Sequence, residues 1–458
     1  MQANKNKAFI LIILLIATIL SPLDFYIVNL ALTPIQKGLN TSAGQLQMIV
    51  SFYTCAYAVF QITGGRLGDL LGRKQMFLTG LFGFISASAI CGLAISPTMI
   101  IVGRVMQGVS GAIMAPQVLA IIHVTFTEKE KTKVMALYSF TFGLAAVLGQ
   151  YLGGLLIAYN IMDLGWRVIF LMNIPIGLTA FIGAIFLLPK PEKEPSDSID
   201  ILGIILLSLS LGLIVYPLTL VSEEGWSITV ITMLLSSFMF LISFITYQKK
   251  MVAKSKTPLI DLNVFKFKNL SIGSFVAFLF YTSGIFYLAL GIYLQEDQHW
   301  SSLDAGTAIV PFGIAFLISS LGSPKVVKWI GNTILNIGIL TKALGFILII
   351  YSISLPSPTG ILFSIGLALA GCGMGLTLSS IVRISLLNIP HRYAGLASGV
   401  INCSLQIGSA IGVAGIGSVF FSLGREHSFA YAFQISLTIV VVLLGIACCS
   451  ALFITKKR

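Results

Sequence analysis

The sequence predicts an all-α polytopic membrane protein of fourteen helices, arranged as two six-helix bundles plus an inserted two-helix hairpin. Three observations predict it. The 458 residues are 57% hydrophobic and only 10% charged, more apolar than a soluble fold requires. Apolar runs of about 20 residues, the length that crosses a bilayer, recur along the whole chain, broken by charges, Gly and Pro. Two polar segments then set off six runs, two runs and six runs.

In order, the runs cover 8–32, 46–67, 75–96, 98–122, 133–158, 166–188, 200–221, 226–247, 270–295, 302–321, 333–354, 358–387, 394–423 and 431–453. The first is too long for the apolar part of a signal peptide, and many like it follow, so it is read as a retained helix. An even number of spans puts both termini on one side. Counting Lys and Arg fixes that side. With the termini inside, cytoplasmic segments hold 23 of the 28 basic residues, outer segments hold Lys37, Arg167 and Arg425, and Arg104 and Lys342 fall within spans. This is a positive-inside bias. It accounts for the net charge of +12 as a topology signal and argues against a nucleic-acid partner.

The dividing segments are Lys190–Asp200 (KPEKEPSDSID) and Gln248–Lys268, which holds six lysines. They give an N-terminal bundle at 1–189, a linker with two extra helices at 190–248, and a C-terminal bundle with its preceding loop at 249–458. Carriers are often built from two such halves, with the substrate between them near the bilayer midplane. No Gly-x-x-x-x-Gly-Lys-Ser/Thr sequence is present and no cytoplasmic segment is large enough for a nucleotide-binding domain, so transport is expected to run on a gradient. No nucleophile–base set or metal cluster is visible, and no enzyme activity, cofactor or metal is expected. The six cysteines fall inside apolar runs and read as packing residues. His123, His299, His391 and His427 sit at or near span ends and read as interfacial. Glycine clusters such as Gly371–Gly375 read as close helix contacts.

Two constellations carry chemistry. After span 2 comes Gly65-Arg66-Leu67-Gly68-Asp69-Leu70-Leu71-Gly72-Arg73-Lys74. Its glycines allow a tight turn, and Asp69 could meet basic groups or a helix N-terminus of the other half when that side closes. The second is Asp24, a carboxylate deep within span 1; an ionisable group in lipid is expensive and marks a functional site.

The loop resembles the signature between helices 2 and 3 of the major facilitator superfamily. Further segments resemble its 14-helix drug:proton antiporter branch: Leu23–Gln36 in helix 1, Arg104–Gly111 in helix 4, Leu164–Pro175 entering helix 6, and Gly143 with Gly149-Gln150-Tyr151-Leu152-Gly153-Gly154 in helix 5. Asp200–Gly203 and Gly225-Trp226 fit the extra hairpin; Tyr293-Leu294-Gln295, Gly306 and Pro311 fit helices 9 and 10; Ala394–Gly399 with Gly408 fits helix 13. Gln150 stands where most members have Pro. Proline would free a carbonyl and kink the helix, whereas the Gln150 amide could bond a neighbouring helix or a substrate. The second-half counterpart of the loop, Leu321–Gly331, lacks an acid.

At 1.5 Å rise per residue, Asp24 lies about 12 Å and Arg104 about 10 Å below the outer face. Helices 1 and 4 are neighbours in the fold the resemblance implies, so the two are expected to meet, directly or through water, in at least one state. A change that separated them would let Asp24 take a proton; the competing reading is a static pair that fixes packing. Phe25, Tyr26, Tyr53, Tyr57 and Phe60 lie nearby in sequence, and Tyr57 is the aromatic chosen as a substrate contact. Lys342 is expected to snorkel to the interface.

The resemblance implies a proton-coupled exporter of lipophilic, often cationic, drugs or antiseptics. It would act as a monomer by alternating access in a bacterial cytoplasmic membrane. Asp24 and Arg104 are its coupling residues, and Asp24, Tyr57 and Gln150 its substrate contacts. Gly65, Asp69, Gly72, Arg73, Gly149, Gly153 and Gly154 form the moving parts. Export of an endogenous metabolite, lipid or peptide is the alternative; a non-transporting sensor fits less well, because no sizeable domain lies outside the membrane.

Overall fold

The computed structural model describes residues 2–188, 199–254, 256–390 and 393–455. Most of the expected linker (190–198, with Lys190 and Lys193) lies outside the described residues, as do His391, Arg392 and the terminal Lys456, Lys457 and Arg458.

The regular elements among the described residues are helices. They are α1 (Gln2–Leu39), α2 (Ala43–Leu71), α3 (Arg73–Gly92), α4 (Pro97–Thr125), α5 (Glu128–Tyr159), α6 (Gly165–Leu187) and the hairpin α7 (Ile201–Glu224) and α8 (Ile228–Ala253). The second half holds α9 (Lys268–Asp297), α10 (Val310–Ile330) preceded by a short helix Ser302–Ala308, α11 (Ile334–Ile353), α12 (Ile361–Ser385), α13 (Ala394–Glu426) and α14 (Phe429–Thr455). By length and composition, thirteen described helices suffice to cross a bilayer, where the sequence predicts fourteen. The difference lies in Ser302–Ile353, counted as a single 52-residue helix. At 1.5 Å per residue it would be about 78 Å long, more than twice a bilayer core of ~30 Å. It breaks at Gly331, whose φ of 63° ends α10 before α11 begins.

The helix starts follow from their sequences. Ser42 caps α2: its Oγ accepts from the Gln45 amide at 3.2 Å, while the Gln45 side chain accepts from the Ser42 amide at 3.0 Å. Ser96 with Pro97 starts α4, and Ser227 starts α8. Asp200 caps α7 and also accepts from Gln248 at 2.8 Å and the Leu259 amide at 3.0 Å, which ties both ends of the hairpin to the next segment. Lys74 donates to the carbonyls of Ile185 (2.7 Å) and Leu188 (2.9 Å), satisfying the end of α6.

Short connections make successive helices antiparallel, so both chain ends lie on one face, here the terminal face, opposite the far face. α1–α6 pack mainly through α2 on α4, α3 on α4 and α1 on α5; α9–α14 pack through α11 and α10 on α12, and α9 on α13 and α14. The halves meet along α2 with α13 and α5 with α10. α7 lies against both α2 and α13. There Gln47 of α2 meets Ser222 of α7 (3.3 Å) and Ser418 of α13 (3.2 Å), and Glu223 accepts from the Gly44 amide at 2.8 Å.

The turn between α2 and α3 is a single residue, Gly72, with φ 100°. A side chain there is strained whatever space surrounds it. Gly72→Ala is expected to cost about 1–3 kcal/mol, read as a lower thermal unfolding midpoint of the purified protein. An unchanged midpoint would count against this reading of the turn.

Candidate functional site

Asp24 and Arg104 are both fully buried and form an ion pair, Arg104 Nη1 donating to Asp24 Oδ2. Small residues bring α4 close to both α1 and α2: a Cβ on Gly111 would fall 3.1 Å from Ser21 Oγ of α1, and one on Gly108 would fall 2.4 Å from the Tyr53 carbonyl of α2. Arg104 also donates from Nε to the Ile49 carbonyl (3.0 Å) and from Nη1 to Gln107 Oε1 (2.9 Å), and the Tyr53 ring lies 4.2 Å from its guanidinium carbon. The other carboxylate oxygen, Asp24 Oδ1, accepts from Gln107 at 3.1 Å and Asn173 at 2.9 Å. Ser88 Oγ accepts from Gln107 Nε2 at 2.8 Å. The carboxylate is therefore charge-balanced and held by three donors. Arg104 Nη2 has no hydrogen-bond partner, leaving its two N–H donors for a rearranged state.

Sequence reasoning selected Asp24 and Arg104 and named Tyr53 among the nearby aromatics, but did not single out Gln107, Asn173 or Ser88. A signal existed. Gln107 lies three residues after Arg104, hence on the same helix face, and Asn173 and Ser88 are polar residues in apolar runs.

A cavity of about 570 Å³ opens between the halves. Its walls run from Thr18 and Ser21 in the middle of α1 to Gly65, Arg66 and Asp69 at the end of α2, with Gly395 and Gly399 at the start of α13. It therefore opens on the terminal face. Tyr57 lines it; Gln150 and Asp24 do not. Between the cavity and Asp24 stand Ser21 and Tyr53, whose hydroxyls hydrogen-bond at 2.6 Å. Asp69 pairs with Arg73 in its own loop at 3.5 Å, and Arg73 reaches the Ala120 carbonyl at 3.5 Å.

The far face is shut. Gln295 of α9 donates to the Leu30 carbonyl of α1 at 3.2 Å, and Lys37 pairs with Glu296 at 3.2 Å. Tyr26 packs edge-on against Tyr287 across the halves, with ring centres 5.1 Å apart. A Cβ on Gly149 would meet Tyr26 Cβ at 2.8 Å and one on Gly153 would meet Ile27 at 2.9 Å, so α5 lies flush on α1. At Gly154 a Cβ would fall 2.3 Å from the Ser302 carbonyl of the other half. Gln150, buried beside them, has its carbonyl close to Gly306 and its amide nitrogen without a hydrogen-bond partner. Gly154→Val is expected to push this seal apart by about 1 kcal/mol, raising maleimide labelling of a Thr33→Cys reporter ~5-fold; equal labelling would show that the seal tolerates the side chain.

The Major Facilitator Superfamily profile matches residues 14–413, most of the chain. The chain belongs to the major facilitator superfamily. It is 32% identical over 418 residues to the probable actinorhodin transporter of Streptomyces coelicolor, an alignment spanning 90% of this chain and 72% of that protein. It is 30% identical over 421 residues to the multidrug resistance protein Stp of Mycobacterium tuberculosis, spanning 91% and 76%. Among solved structures, a bacterial homolog of the human lysosomal transporter Spinster, inward-facing and unoccupied, superposes with a TM-score of 0.69 at 14% identity, covering 98% of this chain and 97% of that one. The last likeness bears on the fold alone.

As a member of this transporter superfamily, the protein is a multi-pass membrane carrier and not an enzyme. One sequence expectation is corrected within it. Lys342 does not snorkel: it is 2% exposed, inside the second half. Its Nζ donates to Ser283 Oγ at 2.5 Å and lies 4.0 Å from the Phe280 ring centre. Gly373 of α12 presses so close that a Cβ there would meet the Lys342 backbone nitrogen at 2.3 Å, and this packing turns the side chain towards α9. Of the cysteines, Cys449 is exposed and the others are buried or half-buried, all with free thiols. The described histidines, His123, His299 and His427, are exposed.

Proposed function

We propose that this protein exports lipophilic, drug-like molecules in exchange for protons, with Asp24 as the proton-carrying group and Arg104 as its switchable partner. The observation that carries this reading is the sealed Asp24–Arg104 pair one turn beyond the wall of the cavity. A proton on Asp24 would leave Arg104 buried without a counter-charge, and breaking such a pair costs about 3–5 kcal/mol. Protonation is thereby tied to a rearrangement that hydrates the guanidinium or gives it a new partner. Alternating access supplies that rearrangement: the far-face seal at Gly154, on the α5 that Gly149 and Gly153 hold flush on α1, opens while the terminal-face loop at Gly65, Asp69, Gly72 and Arg73 closes.

The basic residues favour a cytoplasmic terminal face, so the cavity faces the cytoplasm, where substrate loads. Protons then enter from outside, helped by about 2.3 kcal/mol per charge per 100 mV of membrane potential. The cavity lies within one chain, which supports a monomeric unit in the cell membrane. Related exporters of antibiotics support the substrate range, Tyr57 lies on the loading wall, and Gln150 sits where it could sense the seal. The test uses everted vesicles carrying a proton gradient. Adding substrate is expected to dissipate it only where the protein is present; a gradient indifferent to every transported substrate would remove proton exchange from the mechanism.

A further inference from the structure

The cavity states its own substrate chemistry. Among its lining residues only two are charged, Arg66 and Asp69, both at the terminal-face mouth, and Asp69 already has Arg73 as a partner. Deeper in, the polar groups are neutral amides and hydroxyls. Gln61 of α2 and Asn402 and Gln406 of α13 present amides from opposite halves. The Gln61 side-chain oxygen, Oε1, is buried and takes no hydrogen bond from the protein. Aromatic faces come from Tyr57 on α2 and from Tyr138 and Phe142 on α5, the last two edge-to-face with centres 5.3 Å apart.

Asp24 is no counter-ion for anything in this cavity. It is fully buried, and its two oxygens are occupied by Arg104, Gln107 and Asn173. An organic cation entering the deep part would give up hydration and meet no opposing charge. A flat ring system carrying hydroxyl and carbonyl groups would stack on the tyrosines and pair with the amides, which donate and accept alike. A volume of about 570 Å³ suits a drug-sized molecule of that kind.

We infer that the loading cavity selects uncharged aromatic molecules bearing several hydroxyl or carbonyl groups, through Gln61, Asn402 and the ring of Tyr57, and discriminates against permanent cations. The inference rests on the export reading above and narrows it.

The experiment compares two probes on the purified full chain in lipid nanodiscs and proteoliposomes: a neutral dihydroxyanthraquinone and tetraphenylphosphonium. The anthraquinone is expected to bind at least ~10-fold more tightly. Gln61→Ala and Asn402→Ala should each weaken it about 5-fold while leaving the weak cation binding where it was. Asn402→Asp, which places a carboxylate in the wall, should raise cation affinity by ~10-fold or more. If that variant does not fold, as judged by its unfolding midpoint, Gln406→Asp takes its place. Equal or tighter binding of tetraphenylphosphonium by the parent protein, or binding of neither probe, overturns the inference. The two readings fail separately. Cation pumped in preference to anthraquinone leaves export intact and removes the selectivity; anthraquinone bound with the expected ranking but never moved against its gradient leaves the cavity chemistry and removes export.

Discussion

Vesicles bearing Asp24→Asn are expected to keep their proton gradient when substrate is added, losing at least about 90% of the parent's response. Asparagine matches aspartate in shape, so the change isolates the charge. In the variant Arg104 keeps the Gln107 oxygen at 2.9 Å, the Ile49 carbonyl at 3.0 Å and the Tyr53 ring, but position 24 can no longer bind and release a proton at working pH. Because Asp24 does not line the cavity, substrate affinity is expected to stay within about threefold of the parent, corresponding to well under 1 kcal/mol. That pairing of results separates lost coupling from lost folding. A variant that dissipates the gradient as the parent does would remove Asp24 from the proton path.

Arg104→Ala is expected to be the most damaging single change to stability. It removes the cation from a carboxylate with no exposure to solvent. Gln107 and Asn173 remain as donors to Asp24 Oδ1, but neither neutralises a charge. The expected loss is about 3–5 kcal/mol, seen as a fall in the unfolding midpoint in detergent. Combining it with Asp24→Asn removes both charges, and the double variant is expected to regain at least ~1.5 kcal/mol relative to the sum of the single changes. Strict additivity would mean that the two groups do not stabilise one another as a buried ion pair.

Asp24 and Arg104 could be chosen from sequence because charges within apolar runs are rare, and equal depth from the same face could be counted residue by residue. Asn173 could not be tied to Asp24 in that way, since 149 positions separate them in the chain. Only packing α6 beside α1 and α3 brings the amide to the carboxylate. Lys342 shows the same limit. Its position near one end of a span suggests an interfacial amine, yet helix rotation, set by the close approach of Gly373 and the Ser283 hydroxyl, turns it inward. Hydropathy measures depth along a helix axis and carries little information on rotation about it.

By itself, the sequence determined that this is a multi-pass helical membrane protein, because the length and apolarity of each run are dictated by the bilayer and need no partner helix; its motifs, the Gly65–Lys74 loop first among them, added the resemblance to the major facilitator superfamily. It also marked out a carboxylate and a guanidinium within apolar runs, and the Gly72 turn, whose φ of 100° a glycine supplies. Tertiary structure alone decided that these charges touch, that Gln107, Asn173 and Ser88 complete their shell, that Gly154 seals the far face against Ser302, and that the cavity at the terminal face is lined at depth by neutral groups. Each of these depends on which faces of distant helices meet, and that is settled by side-chain packing across the whole bundle.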